Sequence, residues 1–398
     1  MFGGSGSPLS ITTVTGVYAD EFKNYNQSSE VFAQNNLVAS DATILSLWSS
    51  AYEIIYASNA VIEGVRASTG LDDNLKKQLE GEARFMRAFC HFYLVNTFGD
   101  VPYIDTTSYK INSVIARIAA AQVYERMVSD LKIAQTLLGD TYISAERGRP
   151  NKWSATALLA RVYLYSEKWV EAQETSSEII NNSNLFSLVQ NTDDVFLKAS
   201  PEAIWQVVST SPEMNTIDGY YFVLNSSPSI VSISDYLLND FEAGDTRFDS
   251  WIGIYTTASA QYYYPFKYKI KSGSVISEHS ILLRLAEQYL IRAEARAHLN
   301  NITGNNSAAS DIDSIRLRAG LPPIVVTGME DILLAIEQER RIELFSEWGH
   351  RWFDLKRTGR AETVLSPIKP GWDNNDIFFP IPETEISNNP NLEQNNGY

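Results

Sequence analysis

Apolar residues recur at helical spacing early in the chain, in two runs separated by a short polar segment. The first run consists of Leu45, Trp48, Tyr52, Ile55 and Ile62, and the second consists of Leu75, Leu79, Met86, Phe89 and Tyr93. Residues three or four apart share one face of a helix, so each run predicts an amphipathic helix. Ser68, Thr69 and Gly70 supply a turn between the runs. The pattern predicts an antiparallel helical hairpin, which needs neighbouring hairpins to bury its apolar face.

A tetratricopeptide-like pattern occupies the segment from Thr156 to Ile180. Its characteristic positions are Leu159, Ala160, Tyr163, Trp169 and Ala172. The small residues allow two helices to approach closely, and the aromatic residues fill the groove between them. A more degenerate copy is formed by Leu290, Ala293, Ala295, Ala308 and Ala309. These copies predict a scaffold of stacked helical hairpins.

The composition and the hydrophobic pattern change between residues 183 and 280, where prolines and serines interrupt short alternating segments. Ala203 to Val208 alternates as a strand does. This region holds eight of the 21 tyrosines together with Trp205 and Trp251, so aromatic residues are concentrated in it. Loops carried by a rigid scaffold often contain binding residues. We therefore interpret the region as an insertion that carries the ligand site.

A last long helix is predicted from about Glu330 to Lys356, and five prolines after it exclude another long helix. The complete prediction is a mostly α-helical chain that forms a single domain over residues 1–398. Tetratricopeptide-like hairpins form the scaffold at 43–182 and 281–358, and the insertion rich in loops and short strands spans 183–280. Residues 359–398 are predicted to form an extended C-terminal tail.

The chain carries a formal charge of −16, from 48 acidic and 32 basic residues. A surface of this sign repels a phosphate backbone and an anionic membrane face, so nucleic acid is excluded as a partner. Solubility is the simplest explanation of the charge, and attraction of a cationic ligand is the alternative.

The single cysteine, Cys90, excludes an internal disulfide and a multi-cysteine metal cluster. It lies in an apolar helix-like run and is predicted to pack in the core. No apolar stretch of about 18 residues is present, so no membrane-spanning helix is predicted. Met1–Ser7 is rich in glycine and serine, and we interpret it as a flexible leader or an engineered replacement for a targeting segment.

The local signatures of common active sites are absent from the sequence, including zinc-binding, phosphate-binding, nucleophile-elbow and dinucleotide-binding motifs. We therefore predict no catalytic residues, no metal and no cofactor. Two alternatives stay open. One is a glycosidase whose paired carboxylates only the fold brings together. The other is a calcium loop made of Asn301, Thr303, Asn305 and Asp311, for which a turn between repeat helices is the simpler interpretation.

A series of short segments resembles, in order, the SusD and RagB family of proteins. The segments are Trp48, Tyr52, Ile55 and Asn59 at helical spacing, then 81–88, 98–102 (Phe-Gly-Asp-Val-Pro), 148–150, 291–295, 316–322, 339–344, 351–357, 379–382 and 391–395. The resemblance covers nearly the whole chain. It implies a surface lipoprotein of the Bacteroidetes outer membrane that binds oligosaccharide, or in some members peptide. It also implies that the protein closes over a SusC-like TonB-dependent transporter.

The sequence departs from the family pattern near its N-terminus, where the cysteine that would carry a lipid is missing. Attachment to the outer membrane through a lipid anchor in a full-length precursor is therefore implied by the resemblance alone. Charged residues in the family segments are costly on apolar helices unless they are paired. We predict internal ion pairs between Glu82 and Arg87, and between Glu343 and Arg340 or Arg351.

The predicted ligand-binding residues are aromatic, because the apolar C–H face of a sugar lies well on a flat ring. They are Trp205, Tyr220, Tyr221, Trp251, Tyr255, Tyr262, Tyr263 and Tyr264. The N-terminal loop around Tyr18, Phe22 and Tyr25 is the second location to consider. Three functions follow in order of preference: glycan capture for import, peptide capture by the same scaffold, and a carbohydrate-active enzyme.

Overall fold

A computed structural model describes residues 9–398, and it is 51% helical. The predicted leader, Met1–Ser7, lies outside the described residues. The α-helices are α1 (Ile11–Tyr18), α2 (Glu30–Ala33), α3 (Ala42–Ala67), α4 (Asp73–Phe98), α5 (Tyr109–Asn112), α6 (Ala120–Leu137), α7 (Lys152–Tyr165), α8 (Trp169–Ile180), α9 (Ile217–Phe222), α10 (Asp235–Leu238), α11 (Thr246–Trp251), α12 (Leu285–His298), α13 (Ala308–Arg318), α14 (Met329–Glu343), α15 (His350–Arg357), α16 (Ala361–Leu365) and α17 (Glu383–Asn388). The strands are β1 (Phe22–Asn24), β2 (Ala203–Val207), β3 (Val231–Ile233), β4 (Ile252–Thr256), β5 (Gln261–Pro265) and β6 (Ser280–Arg284).

The scaffold is a row of helices in which each packs against the next. α3 packs on α4, α4 on α6, α6 on α7, α7 on α8, and α8 on α12, which also contacts α13 and α14. The mostly α-helical fold is thus confirmed. The tetratricopeptide-like segment forms α7 and α8, and Ala160 and Ala172 are fully buried where the two helices approach. Glu167 adopts a positive φ of 57° in the turn between them.

The first predicted hairpin is formed by α3 and α4, whose helix ends follow from the local sequence. The side chains of Asp41 and Asp72 accept hydrogen bonds from the first backbone amides of α3 and α4, respectively. Gly99 ends α4 with a positive φ of 75°, a conformation that favours glycine. Cys90 is fully buried in α4, and burial raises the pKa of its thiol to about 12. Its predicted packing role is confirmed.

The last long helix is two helices and not one, so this part of the prediction is wrong. α14 ends at Glu343 and α15 begins at His350, with a non-helical segment between them. Trp348 and Gly349 both have positive φ, at 49° and 82°. The break places the Trp348 indole where its Nε1 donates a hydrogen bond to the carbonyl of Ile281, 2.8 Å away.

The charged residues predicted to form internal pairs are paired, and all but Glu82 are buried, but the predicted partners are wrong. Each observed pair joins residues from two different helices, strands or loops. The observed pairs are Glu82 with Arg149, Arg87 with Asp130, Arg340 with Asp354, Arg351 with Asp20, and Glu343 with Arg247, Arg284 and Arg318. Spacing along one helix does not reveal such partners.

Glu343 is the centre of a buried ion network that joins the insertion to the scaffold. Its side chain is fully buried and lies 2.6 Å from Arg284 Nη1 and 2.9 Å from Arg247 Nη1, and it also accepts from Arg318. Burial alone would raise the pKa of Glu343, but the three guanidinium groups hold it well below its usual range. The carboxylate therefore stays ionised in the core.

The described residues contain three two-stranded antiparallel sheets, each with at least one strand in the insertion. β2 pairs with β6, and β4 with β5. β1, near the N-terminus, pairs with β3 of the insertion, with Phe22 opposite Ile233 and Asn24 opposite Val231. This pairing brings the N-terminal segment beside the aromatic region.

The C-terminal segment is irregular apart from α16, α17 and a single 3-10 turn at Asn374–Ile377. Phe379 is fully buried, and its amide donates to the carbonyl of Thr97 at the end of α4. Asn395 donates to the carbonyls of Phe98 and Phe379, so the segment is held against α4. Among residues 9–398, none of the helices is both long enough and apolar enough to span a bilayer.

Candidate ligand-binding site

Three of the eight predicted ligand-binding aromatic residues are core residues, which corrects the sequence-based prediction. Trp205 is 4% exposed, packs edge-on against Phe85 and Phe89, and donates its indole hydrogen to a backbone carbonyl. Trp251 is fully buried, and its Nε1 donates to the carbonyl of Thr192 at 2.9 Å. Neither indole has a face open to a ligand.

Tyr264 is the third buried candidate, at 8% exposure. Its ring lies against Gly253, where a Cβ atom would stand 2.2 Å from the ring. Only glycine leaves room for the tyrosine at this point of the β4–β5 hairpin. Tyr264 therefore fixes the hairpin and does not offer a free surface.

Tyr263 on β5 and the neighbouring Tyr220 and Tyr221 on α9 are not buried. Tyr263 points to the side of the hairpin that carries Ile252, packs near Phe248, and donates its hydroxyl to Gln261. Tyr220 and Tyr221 form an edge-to-face pair with ring centroids 5.0 Å apart on α9. These three remain candidates by exposure.

The hairpin places Tyr255 and Tyr262 directly opposite each other. Directly opposed residues of an antiparallel pair project from the same face, so their rings share one surface. The ring of Tyr25 meets that of Tyr262 edge-on, with centroids 6.1 Å apart and planes at 80°. Tyr25 is 42% exposed. We name Tyr25, Tyr255 and Tyr262 the tyrosine cluster.

Tyr25 reaches the cluster because it follows directly after β1. Its amide donates to the carbonyl of Ile230 at 2.8 Å, which extends the pairing of β1 with β3. Its hydroxyl accepts a hydrogen bond from Ser232 of β3. Of the three residues in the second location considered from the sequence, Tyr18 and Phe22 are buried, and Tyr25 alone is exposed.

A cleft of about 960 Å³ lies along β1 and the start of α10. Lys23 and Asp235 form a salt bridge of 2.7 Å at its edge, and Tyr236 is 52% exposed there. Lys369 lines the cleft, donates to the carbonyls of Val17 and Ala33, and has its pKa lowered by burial to about 8. The volume is in the range of small-ligand sites, and the lining offers hydrogen-bond donors and acceptors.

The candidate calcium loop is a bonded turn. Asn301 donates to the carbonyl of Asn306, and Asp311 is paired with Arg292 and Arg296 at 2.7 and 2.8 Å. The oxygens of Asp311 are therefore engaged by guanidinium groups. In the described part of the chain, no three His, Cys, Asp or Glu side chains are grouped to hold a metal ion.

The fold and this surface define a class: a helical-repeat protein whose inserted region presents aromatic rings beside a polar cleft. Residues 5–164 match the SusD-like family model described as "Starch-binding associating with outer membrane", and residues 243–398 match the model of the SusD family. The chain belongs to the SusD/RagB-like family.

Known relatives and solved structures agree with this assignment. SusD-like protein P2 of Formosa agariphila is 29% identical over 92% of this chain and 83% of its own length. A SusD superfamily protein of Bacteroides vulgatus superimposes with a TM-score of 0.88 at 20% identity, covering 100% of this chain and 95% of that one. A laminarin-binding SusD-like protein gives 0.84 at 25% identity, covering 98% and 94%.

Proposed function

We propose that this protein binds an oligosaccharide on the tyrosine cluster and the neighbouring cleft at the cell surface. The carrying observation is the pair of Tyr25 and Tyr262, two partly exposed rings 6.1 Å apart that are held by strand pairing from different parts of the chain. Rings fixed in this way offer flat apolar faces to the C–H surface of a sugar. They lose little conformational freedom on binding.

The family supports delivery of the captured glycan to a partner. In this proposal the protein is held at the outer membrane by a lipid on its full-length precursor and passes the oligosaccharide to a SusC-like TonB-dependent transporter. Transfer requires release, which favours a modest affinity. Each ring that stacks on a sugar removes limited apolar area, so dissociation constants between about 1 μM and 1 mM are expected.

Replacing Tyr262 with alanine is expected to weaken glycan binding by about 1–3 kcal/mol, because it removes the ring that lies between Tyr25 and Tyr255 in the cluster. Calorimetric titration with laminarin, starch, xylan and a tryptic peptide mixture measures the effect. Tyr262→Phe is the matched control, since it keeps the ring and should keep most of the affinity. Equal binding by wild type and Tyr262→Ala would contradict the proposed site, and binding of peptides alone would indicate the peptide-binding alternative.

We also expect no turnover of the bound glycan. The sequence carries no local catalytic signature, one matching family model is described as starch-binding, and one similar solved structure is described as laminarin-binding. Incubation of the purified protein with each polysaccharide should release no new reducing ends. Release that a single carboxylate substitution abolishes would establish the enzyme alternative.

A further inference from the structure

A second cleft, of about 660 Å³, lies on the helical part of the molecule. It is bounded by α3, by the loop between α4 and α6, and by α17. It shares no residue with the tyrosine cluster or with the cleft along β1. Trp48, Ile115 and Leu392 contribute to an apolar floor.

An exposed aromatic residue stands at the edge of this second cleft. Tyr109 on α5 is 81% exposed, and its neighbours in the loop, Ile111 and Val114, are 54% and 52% exposed. Apolar side chains gathered on a surface loop indicate a contact surface, because water penalises their exposure. Tyr109 is the member of this group that also lines the cleft.

Hydrogen bonds from α3 hold the loop that carries Tyr109 in place. Asn59 of α3 donates to the carbonyls of Ile104 and Thr106. Glu63, one turn later, accepts from the hydroxyl of Thr106 and from the amide and hydroxyl of Thr107. These bonds fix the start of the loop against α3.

The C-terminal segment fixes the other end of the same loop. Asn389 and Asn391 donate to the carbonyls of Ile115 and Val114, at 2.9 and 2.6 Å. The loop is therefore anchored on both sides of Tyr109. Fixing the backbone that carries the ring lowers the entropic cost of binding.

The polar lining of the second cleft favours an uncharged polyhydroxy ligand. Glu53 and Glu385 supply acceptors, and Asn388 is an exposed amide that both donates and accepts. No lysine or arginine is among the described residues that line the cleft. A sulfated or uronic glycan would meet two carboxylates and no cation in the lining itself, so a neutral sugar fits best.

We propose that this cleft is a second saccharide site, in which a neutral pyranose unit stacks on Tyr109 and its hydroxyls bond to Glu385 and Asn388. The proposal rests on the proposed function, because it assigns a second contact to the same polymer. Two sites on one protein increase the retention of a long glycan through effective concentration, while each site alone stays weak.

The test is calorimetric titration with neutral hexasaccharides: laminarihexaose, maltohexaose, cellohexaose and xylohexaose. The hexasaccharide that binds should bind at two sites in the wild type, at one in Tyr109→Ala, at one in Tyr262→Ala and at none in the double variant. Tyr109→Phe is the matched control and should keep both sites. Because Tyr109 is exposed, its alanine variant should keep the wild-type thermal midpoint.

Affinity electrophoresis in the matching polysaccharide provides the second readout, and Tyr109→Ala should reduce retention at least about tenfold. Unchanged stoichiometry and retention in Tyr109→Ala would overturn the second site. A loop that binds a protein and not a sugar would give this same result. One wild-type site lost only in Tyr262→Ala would overturn it while leaving the proposed function intact. One wild-type site lost only in Tyr109→Ala would support this cleft and overturn the first site. Failure of every hexasaccharide to bind would overturn both.

Discussion

Replacing Glu343 with glutamine is expected to lower the free energy of unfolding by about 3–5 kcal/mol, because it removes a buried carboxylate that three guanidinium groups share. The substitution keeps the shape of the side chain and removes its charge. Arg247, Arg284 and Arg318 would then each lose one charged acceptor in a site closed to water. Their other carboxylate partners would remain, namely Asp245, Glu339, Glu347 and Glu202. The loss of stability is large because water cannot reach the buried guanidinium groups to replace the lost interaction.

Urea denaturation followed by circular dichroism measures this loss as a shift of the midpoint at constant slope. Asp105→Asn is the control, because it removes the same charge from an exposed pair with Arg126 at 3.6 Å. Surface pairs contribute little, so this variant should unfold as the wild type does. A Glu343→Gln midpoint equal to that of Asp105→Asn would show that the network does not support the fold.

Replacing Trp251 with alanine is expected to cost about 3–5 kcal/mol of stability, as for other large buried aromatic residues. The indole fills the core of the insertion and packs edge-on near Phe196 with centroids 5.5 Å apart. Lys267 Nζ lies 4.7 Å from the ring centroid, so the ring also covers one cation of the network. The variant loses apolar contact and exposes a buried ammonium.

Urea denaturation again measures the loss of stability, and glycan titration of the folded fraction separates the effect on stability from the effect on binding. Trp251→Phe keeps most of the apolar volume and should lose less stability than Trp251→Ala. Binding by the folded variant should remain close to that of the wild type, because the ring does not reach the surface. Weaker binding at an unchanged denaturation midpoint would return Trp251 to the list of ligand contacts.

Local pattern was sufficient for the helices, because helix formation depends on neighbours three and four residues apart. The runs that begin at Leu45 and Leu75 became α3 and α4, and the segment with Tyr163 and Trp169 became α7 and α8. The break between α14 and α15 was missed because Glu343, Trp348 and their distant partners determine it. Those partners lie in β6 and α11, far away in the sequence.

Composition indicated the aromatic insertion, but it did not distinguish core rings from surface rings. Whether Trp205 is buried depends on Phe85 and Phe89, more than a hundred residues earlier in the chain. The position of Tyr25 depends on the pairing of β1 with β3, which the local sequence does not predict. The alternation of β4 and β5 was the one usable clue, since it assigns Tyr255 and Tyr262 to one face and Tyr263 to the other.

The pairing of Asp20 determines when the N-terminal segment can complete its fold. Asp20 bonds to Arg341, 321 residues later, and to Arg351, 331 residues later. Burial alone would raise the pKa of Asp20, but these guanidinium groups hold it well below its usual range. Contacts this distant in sequence close slowly and only after both ends are available. Until the C-terminal helices are available, Asp20 therefore cannot form these pairs, and the N-terminal segment that leads to Tyr25 is among the last parts of the fold to be completed.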